Sequence, residues 1–226
     1  MLTKIWELLS ARETLIEDAQ NSAFEMLAMG KEMFMMAIKA VKEEADIQVR
    51  KQVGRWDRKI NEKQIEVRKK VYEHLALSRA GDLMMGLQLT NIVIDLERIG
   101  DYTKNIGELV DMLPGQLHFN EFEDIFNDVV KGTIELFDLT REALTEESEE
   151  KAFMVFRNYD RISKLCDNTL KKILTSEEFG EADSIKKELV GFLLLLRYVK
   201  RISAHLKNVS SSVVHPFHKF GYRIGV

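Results

Sequence analysis

The sequence repeats itself at an offset of 103 residues. Identical residues recur at this one offset at several separated places, so the chain is predicted to be a tandem repeat, and this sets the framework for assigning the fold. The matched pairs are Phe34 with Phe137, Asp57-Arg58 with Asp160-Arg161, Arg98-Ile99 with Arg201-Ile202, and Lys104-Asn105 with Lys207-Asn208.

The two copies differ in their acidic residues. Glu97 and Asp101 stand in the first copy where Lys200 and Ala204 stand in the second. The scaffold is therefore duplicated, whereas this pair of carboxylates belongs to the first copy alone.

Apolar residues recur every three or four positions through most of the chain, which favours an all-α fold. Neither Pro114 nor Pro216 interrupts a periodic segment. The seven seam positions from Leu89 to Val110 in the third helix, all apolar except Thr103, recur at the same offset in the last helix. The predicted helices are 4–45, 47–77, 81–113, 119–145, 148–175 and 181–214.

Long helices joined by short turns pack antiparallel to their neighbours, so each copy is predicted to be an up-down-up three-helix bundle. The predicted architecture is a pseudo-two-fold tandem pair of such bundles, 1–115 and 116–226, joined near Pro114-Gly115. The third helix of the first bundle contains Gly100 and Gly107, which predict a close approach of another helix or of a ligand.

Composition excludes several classes of protein. A net charge of −4 disfavours a general nucleic-acid binder. The apolar run Phe192–Leu196 is far shorter than the roughly 20 residues of a membrane span, and the charged N-terminal residues do not resemble a secretory signal. The single Cys166 is interpreted as a small core residue. We expect a soluble intracellular protein.

The first candidate site is the pair Glu97 and Asp101 in the third helix. Residues four apart lie one turn apart on the same helix face. Because Leu96 and Ile99 belong to the apolar seam, the two carboxylates are predicted to lie beside it, at the bundle surface.

The second helix offers a similar pair, Asp57 and Asn61, which flank the predicted seam residues Trp56 and Ile60. Three carboxylates and one amide oxygen would suit Mg, Mn, Ca or oxidised Fe. The alternative is a solvated acidic face, since charged residues make up 31% of the chain.

The histidines give weaker signals. His215 and His218 resemble a two-imidazole ligand set, but a loose or packed terminus is the favoured interpretation. The isolated His74, His118 and His205 are given no role. A buried di-iron centre is discarded because no histidine follows a glutamate by three positions.

The segment from residue 186 to the end is locally basic, with Arg197, Lys200, Arg201 and Lys207 among its cations. We interpret this as solvated charge, with an acidic partner or an anion as the alternative. The sequence contains no Gly-rich phosphate loop, no nucleophile–base pattern and no paired-cysteine metal motif, so an enzyme is not expected.

The segment D-L-E-R-I-G-D-Y, residues 95–102, continued by Asn105-Ile106, resembles the signature of the PhoU family of bacterial phosphate-uptake regulators. The resemblance extends over the chain: its length, the two repeats of three helices, and the stretch from Asp57 to Asn61. It implies a cytoplasmic, commonly dimeric, non-enzymatic negative regulator of phosphate uptake and of phosphate-starvation transcription.

The resemblance also implies partners. These are the ATPase of a phosphate ABC transporter, a sensor histidine kinase, or both, so the protein would reach the membrane only through a partner and would not contact nucleic acid. A metal-binding or metal-sensing bundle and an accessory regulator of another ion transporter are the alternative functions.

The resemblance finally implies metal ligands at the family's E(D)-x-x-x-D pairs. Glu97 and Asp101 match fully, Asp57 matches, and Asn61 replaces the second acid. In the second copy Asp160 remains, but Ser163-Lys164, Lys200 and Ala204 replace the other acids. We therefore expect at most one metal site, in the first repeat, holding Fe, Mn, Mg or Zn, or else a metal-free relative.

Overall fold

The computed structural model is all-helical over the residues it describes, and this confirms the predicted fold class. The described residues are 2–43, 47–77, 82–113, 119–175 and 187–221. The helices are α1 (Leu2–Lys42), α2 (Ile47–Leu77), α3 (Leu83–Met112), α4 (Glu123–Thr145), α5 (Glu149–Thr175) and α6 (Lys187–Val214).

The helix boundaries follow the periodicity closely. The predicted span of α2, 47–77, agrees with the structure, and a short 3-10 turn, Asn120–Phe122, precedes α4. Several predicted breaks lie outside the described residues: Asp46, Ala80-Gly81, Pro114-Gly115, Phe179-Gly180 and the predicted start of the last helix at 181.

The helices form two three-helix bundles that pack together through α3 and α6. Helices α1, α2 and α3 pack on one another, as do α4, α5 and α6. Helix α3 contacts α6 as extensively as it contacts its neighbours within the first bundle. The buried side chains of both bundles accordingly form one continuous core.

Burial repeats at the predicted offset in the first and third helices of each bundle. Phe34 in α1 and Phe137 in α4 are both buried, as are Ile99 in α3 and Ile202 in α6. Because the same positions face the core in both copies, the duplication governs packing as well as residue identity.

The second helices are shifted by one residue relative to this offset. Asp57 and Ile60 lie on the buried stripe of α2, whereas half-buried Tyr159 and buried Ile162 lie on that of α5. Asp160 is exposed. The predicted equivalence of Asp57 and Asp160 is therefore wrong, since the residue in the place of Asp57 is Tyr159.

Turn length explains the shift. Residues 43–46 separate α1 from α2, whereas residues 146–148, one residue fewer, separate α4 from α5. A helix that begins one residue earlier must present a different set of side chains to the same core.

The two bundles face each other across a pseudo-two-fold axis. Phe34 and Phe137, which are equivalent residues, have ring centroids 5.9 Å apart. Tyr102 and His205, also equivalent, stack with ring centroids 5.6 Å apart. An axis that relates two repeats must pass between any equivalent residues that touch, and these two pairs locate it.

Polar contacts reinforce this interface. His205 Nδ1 lies 2.6 Å from Asp95 Oδ1, and Asn208 Nδ2 donates to the same oxygen at 3.1 Å. Tyr198, at the position equivalent to Asp95, instead packs against Tyr102, with centroids 6.3 Å apart. His205, to which the sequence analysis assigned no role, therefore joins the two repeats.

Over the described residues, none of the helices combines the length and the apolar character that a bilayer span requires.

Candidate carboxylate site

The candidate site lies where α2 and α3 approach closely. A Cβ atom added to Gly100 would lie 3.3 Å from Ile60 Cδ1, and one added to Gly107 would lie 3.6 Å from Val53 Cγ1. The contact at Gly100 would be tight, so glycine permits the close approach there, as the sequence predicted, whereas a Cβ at Gly107 would make an ordinary van der Waals contact. The acidic residues of both helices are thereby brought to one side of the first bundle.

Asp57 is a buried carboxylate. It is 6% exposed and occupies a position on the buried stripe of α2, while Trp56 is half-buried beside it. The predicted burial of Ile60 is confirmed, and Trp56 packs against the core although it is only partly buried. The prediction that Asp57 lies at the flank of the seam is wrong, because Asp57 is on the buried stripe. The Lys104 Nζ from α3 lies 3.4 Å from Asp57 Oδ2 and offsets the cost of burying its charge.

Glu97 and Asp101 are half-buried on α3, as expected for residues beside the seam. Arg98, between them in sequence, contacts both: its Nη1 donates to Asp101 Oδ2 at 3.1 Å, and its Nε lies 3.7 Å from Glu97 Oε2. The guanidinium is exposed, so these ion pairs are screened by solvent.

Electrostatics connects the acids of the two helices. Burial raises the pKa of the Glu97 carboxyl above its usual range, and the nearby charges of Asp101 and Asp57 raise it further, against the lowering effect of Arg98 and Arg68. The pKa of Glu97 is therefore affected by a carboxylate on its own helix and by one on α2. Such crowding of negative charge is what a bound cation would relieve.

The side chains do not form a closed coordination sphere. Within the part of the chain that the structure describes, no three His, Cys, Asp or Glu side chains converge closely enough to hold a metal ion. Arg98 and Lys104 contact the acidic oxygens instead, and Asn61 is half-buried one turn from Asp57. The oxygen donors suit a hard cation chemically, but binding one would require the acidic side chains to move together and Arg98 and Lys104 to move away.

The corresponding region of the second repeat has a different chemistry. Lys200, in the place of Glu97, donates to Asp167 Oδ1 at 2.5 Å. Lys207, in the place of Lys104, lies 5.6 Å from the centroid of the Tyr159 ring. A cation–π contact thus replaces the Lys104–Asp57 ion pair, and the acidic patch is lost.

The C-terminal segment is packed as far as Gly221, which is one of the two alternatives in the favoured interpretation of a loose or packed terminus. His215 stacks on Phe156 with centroids 6.2 Å apart. Lys207 donates to the carbonyl oxygen of Gly221 at 2.7 Å, and the backbone N–H of Gly221 donates to Ser211 at 2.9 Å. His215 is therefore placed by packing against an aromatic ring.

The cysteine is a core residue, in line with its interpretation from sequence. Cys166 is buried in α5, and burial raises the pKa of its thiol to about 12. Because the thiolate is the reactive form, this residue is not equipped to act as a nucleophile.

Comparison with protein families gives one clear match. The family model described as the PhoU domain matches residues 24–110 and 126–213, once in each repeat. The two matches together cover well over half of the chain.

Comparison with individual proteins agrees. A Clostridium acetobutylicum protein named "Phosphate-specific transport system accessory protein PhoU homolog" is 25% identical over 206 residues, which cover 90% of this chain and 92% of that protein. A Thermotoga maritima protein named "Phosphate-specific transport system accessory protein PhoU homolog 1" is 30% identical over 120 residues, half of each chain.

Solved structures share the fold. The phosphate transport system regulatory protein PhoU from Streptococcus pneumoniae superposes with a TM-score of 0.77 at 19% identity, over 90% of this chain and 95% of its own. PhoU from Pseudomonas aeruginosa superposes with a TM-score of 0.79 at 20% identity, over 89% of this chain and 96% of its own.

Proposed function

The chain belongs to the PhoU family, and on this basis we propose that it is a cytoplasmic, non-enzymatic accessory protein that restrains phosphate uptake and phosphate-starvation signalling. The observation that carries the proposal is the family match in both repeats. The name of the Clostridium relative, which aligns with nearly the whole chain, supports it.

We propose that the protein acts by contact with the ATPase of a phosphate ABC transporter, with a sensor histidine kinase, or with both, and that it does so as a homodimer. The names of the relatives, which place them in a phosphate-specific transport system, support the transporter contact. Association with the membrane then runs through the partner.

We further propose that Asp57, Asn61, Glu97 and Asp101 hold a divalent or trivalent cation, with Fe, Mn, Mg or Zn as the candidates. Burial is the main cause of the raised pKa of Glu97, and the nearby charges of Asp101 and Asp57 raise it further. These neighbouring negative charges support the assignment, because a cation would neutralise them. When bound, the ion would supply positive charge that draws α2 and α3 together. The second repeat, with Lys200 and Ala204 at the matching positions, would hold none.

A gene deletion tests the regulatory proposal. We expect deletion in the native organism to activate a starvation-induced phosphate promoter in phosphate-rich medium, and expression of the intact chain to silence it again. A promoter that stays silent in the deletion strain would refute a restraining role. Deletion of the transporter ATPase gene in the parent strain is the control that shows whether the reporter can respond.

A metal-sensing bundle is the second candidate function, favoured by the clustered charges around Glu97. Affinity purification of the tagged chain from phosphate-replete cells separates the two candidates. Recovery of the transporter ATPase or of the kinase supports the regulator. A chain that recovers neither, and whose stability responds to metal, supports the sensor.

A further inference from the structure

A cavity of about 380 Å³ lies between the two repeats, and none of the four carboxylate-site residues is among its described lining. Its walls come from α1 and α3 of the first repeat and from the α4–α5 turn and the end of α6 in the second. Most lining side chains are apolar, among them Phe24, Leu89, Ile92 and Leu144. The volume is in the range of small-molecule sites, which begin at about 300 Å³.

Comparison of the repeats explains why this space is open. Ala23 and Leu89 line the cavity, whereas the equivalent residues of the second repeat are Phe126 and Phe192. There, Phe119 packs against both rings, with centroids 4.6 and 5.0 Å away. Aromatic side chains thus fill in one repeat a region that smaller side chains leave open in the other.

Among the lining residues that the structure describes, those that carry charge are acidic. Glu147 and Glu149 are the charged residues among its described lining, which includes no Lys, Arg or His. Gln20 and Gln88 add neutral donors and acceptors. Phosphate and other anions would meet repulsion here, whereas a cationic group would be attracted.

Glu147 adopts a backbone conformation that disfavours it. Its φ is 49°, and it follows α4 at the position where the Ser148 N–H bonds the Ala143 carbonyl oxygen at 3.0 Å. This helix-ending motif usually places glycine there. Glu147 thus has an unfavourable backbone conformation and lines a cavity. Strained residues of this kind often occur at functional sites, which motivates a functional hypothesis here.

We propose that this cavity binds a small organic cation with a hydrocarbon tail, the tail lying among the apolar side chains and the cationic head near Glu147 and Glu149. The proposal is independent of the regulatory function above, because it concerns a different surface and uses none of the four carboxylate-site residues.

Calorimetric titration of the purified full chain tests the site. The probes are octyltrimethylammonium, octanol and octanoate below their micelle concentrations, and inorganic phosphate. We expect the cation to bind most tightly, octanol more weakly, octanoate at least about fivefold more weakly than the cation, and phosphate not at all. Equal binding of cation and octanoate, or no binding of the cation, would overturn the proposal.

Two sets of variants locate the binding. Glu147→Gln/Glu149→Gln should reduce the preference for the cation over octanoate about fivefold, since exposed carboxylates contribute modestly. The control Glu108→Gln/Glu135→Gln removes the same charge from exposed residues that do not line the cavity, and should leave the preference intact. If the two double variants change the preference equally, Glu147 and Glu149 do not act locally on the bound cation.

Filling the cavity tests the apolar part. Leu89→Phe and Ala23→Phe install the residues that the second repeat carries. Each substitution should weaken the binding of octyltrimethylammonium and of octanol to the same extent. The expected loss of affinity is about tenfold, which corresponds to the loss of a contact of one methylene group in an apolar pocket. Should Ala23→Phe fail to fold, Leu89→Phe, a smaller change in volume, decides: unchanged affinity for both probes in this variant would place their binding elsewhere.

Discussion

Phe34 and Phe137, equivalent residues of the two repeats, face each other across the pseudo-two-fold axis with ring centroids 5.9 Å apart. Both side chains are buried, and both belong to the continuous core that spans the two bundles. The two repeats are thus joined by residues that are equivalent in the duplication, so the same position of each repeat contributes to the interface.

Energetic coupling between these rings follows from their contact. Phe34→Leu and Phe137→Leu should each destabilise the protein, and their effects should be non-additive by about 1 kcal/mol, the coupling typical of aromatic pairs. Chemical denaturation of the wild type, both single variants and the double variant measures this. Additive effects within about 0.3 kcal/mol would show that the rings do not interact.

The polar tie between the repeats makes a second prediction. Asp95→Asn should destabilise the protein by about 1 kcal/mol, because His205 and Asn208 both lie within hydrogen-bonding distance of the carboxylate oxygen. Asp160→Asn, an exposed change of the same chemistry, is the control and should have little effect. If the two variants unfold at the same denaturant concentration, the Asp95 contacts contribute nothing.

Glu147 provides a third prediction, since it has a φ of 49°. Glu147→Gly should raise the free energy of unfolding by about 1 kcal/mol, because glycine adopts this conformation without a steric penalty. Glu147→Ala removes the same carboxylate but keeps a Cβ atom, so it should give no such gain. A stabilisation shared by both variants would assign the effect to charge.

The raised pKa of Glu97 predicts a pH dependence. The folded state of the metal-free protein binds this proton more tightly than the unfolded state, so the contribution favours folding at low pH and is lost as pH rises through the folded pKa. Glu97→Gln should therefore stabilise chelator-treated protein at pH 7, by about 0.5 kcal/mol or less given solvent screening. The gain should vanish below the ordinary glutamate pKa of 4.5.

Urea denaturation of both proteins between pH 4 and 8 checks this sign. A Glu97→Gln variant that is less stable than the wild type at pH 7 without metal would contradict a Glu97 carboxylate disfavoured by burial and by nearby negative charge.

Much of the architecture was predictable from the sequence. The apolar positions of the third helix recur at one offset in the last helix, and buried residues such as Ile99 and Ile202 follow that pattern. Periodicity reports which face of a helix is buried, so it identified the helices and the duplicated core.

The register of the second helices was mispredicted for a physical reason. Asp160-Arg161 repeats Asp57-Arg58, but the shorter turn before α5 rotates its side chains, so that Tyr159 occupies the place of Asp57. Residue identity aligns Asp57 with Asp160, whereas the burial of side chains aligns it with Tyr159. The spacing of Val53, Asp57 and Ile60 on one stripe was the signal that could have placed Asp57 in the core.

The contacts of His205 could not be inferred from one sequence. Asp95 lies 110 positions earlier, and only the packing of α3 against α6 brings the two side chains together. The candidate carboxylates were likewise assigned to faces of helices, whereas their mutual approach depends on the crossing of α2 and α3.

The central claim is that a duplicated three-helix unit retains a cation site in its first copy alone. Metal analysis of mildly purified protein, after supplying Fe, Mn, Mg or Zn, tests it most directly by comparing the wild type with Glu97→Gln/Asp101→Asn and with Asp160→Asn. We expect a single metal site per chain, which is abolished in Glu97→Gln/Asp101→Asn and retained in Asp160→Asn. Equal metal content in the wild type and in Glu97→Gln/Asp101→Asn would contradict it.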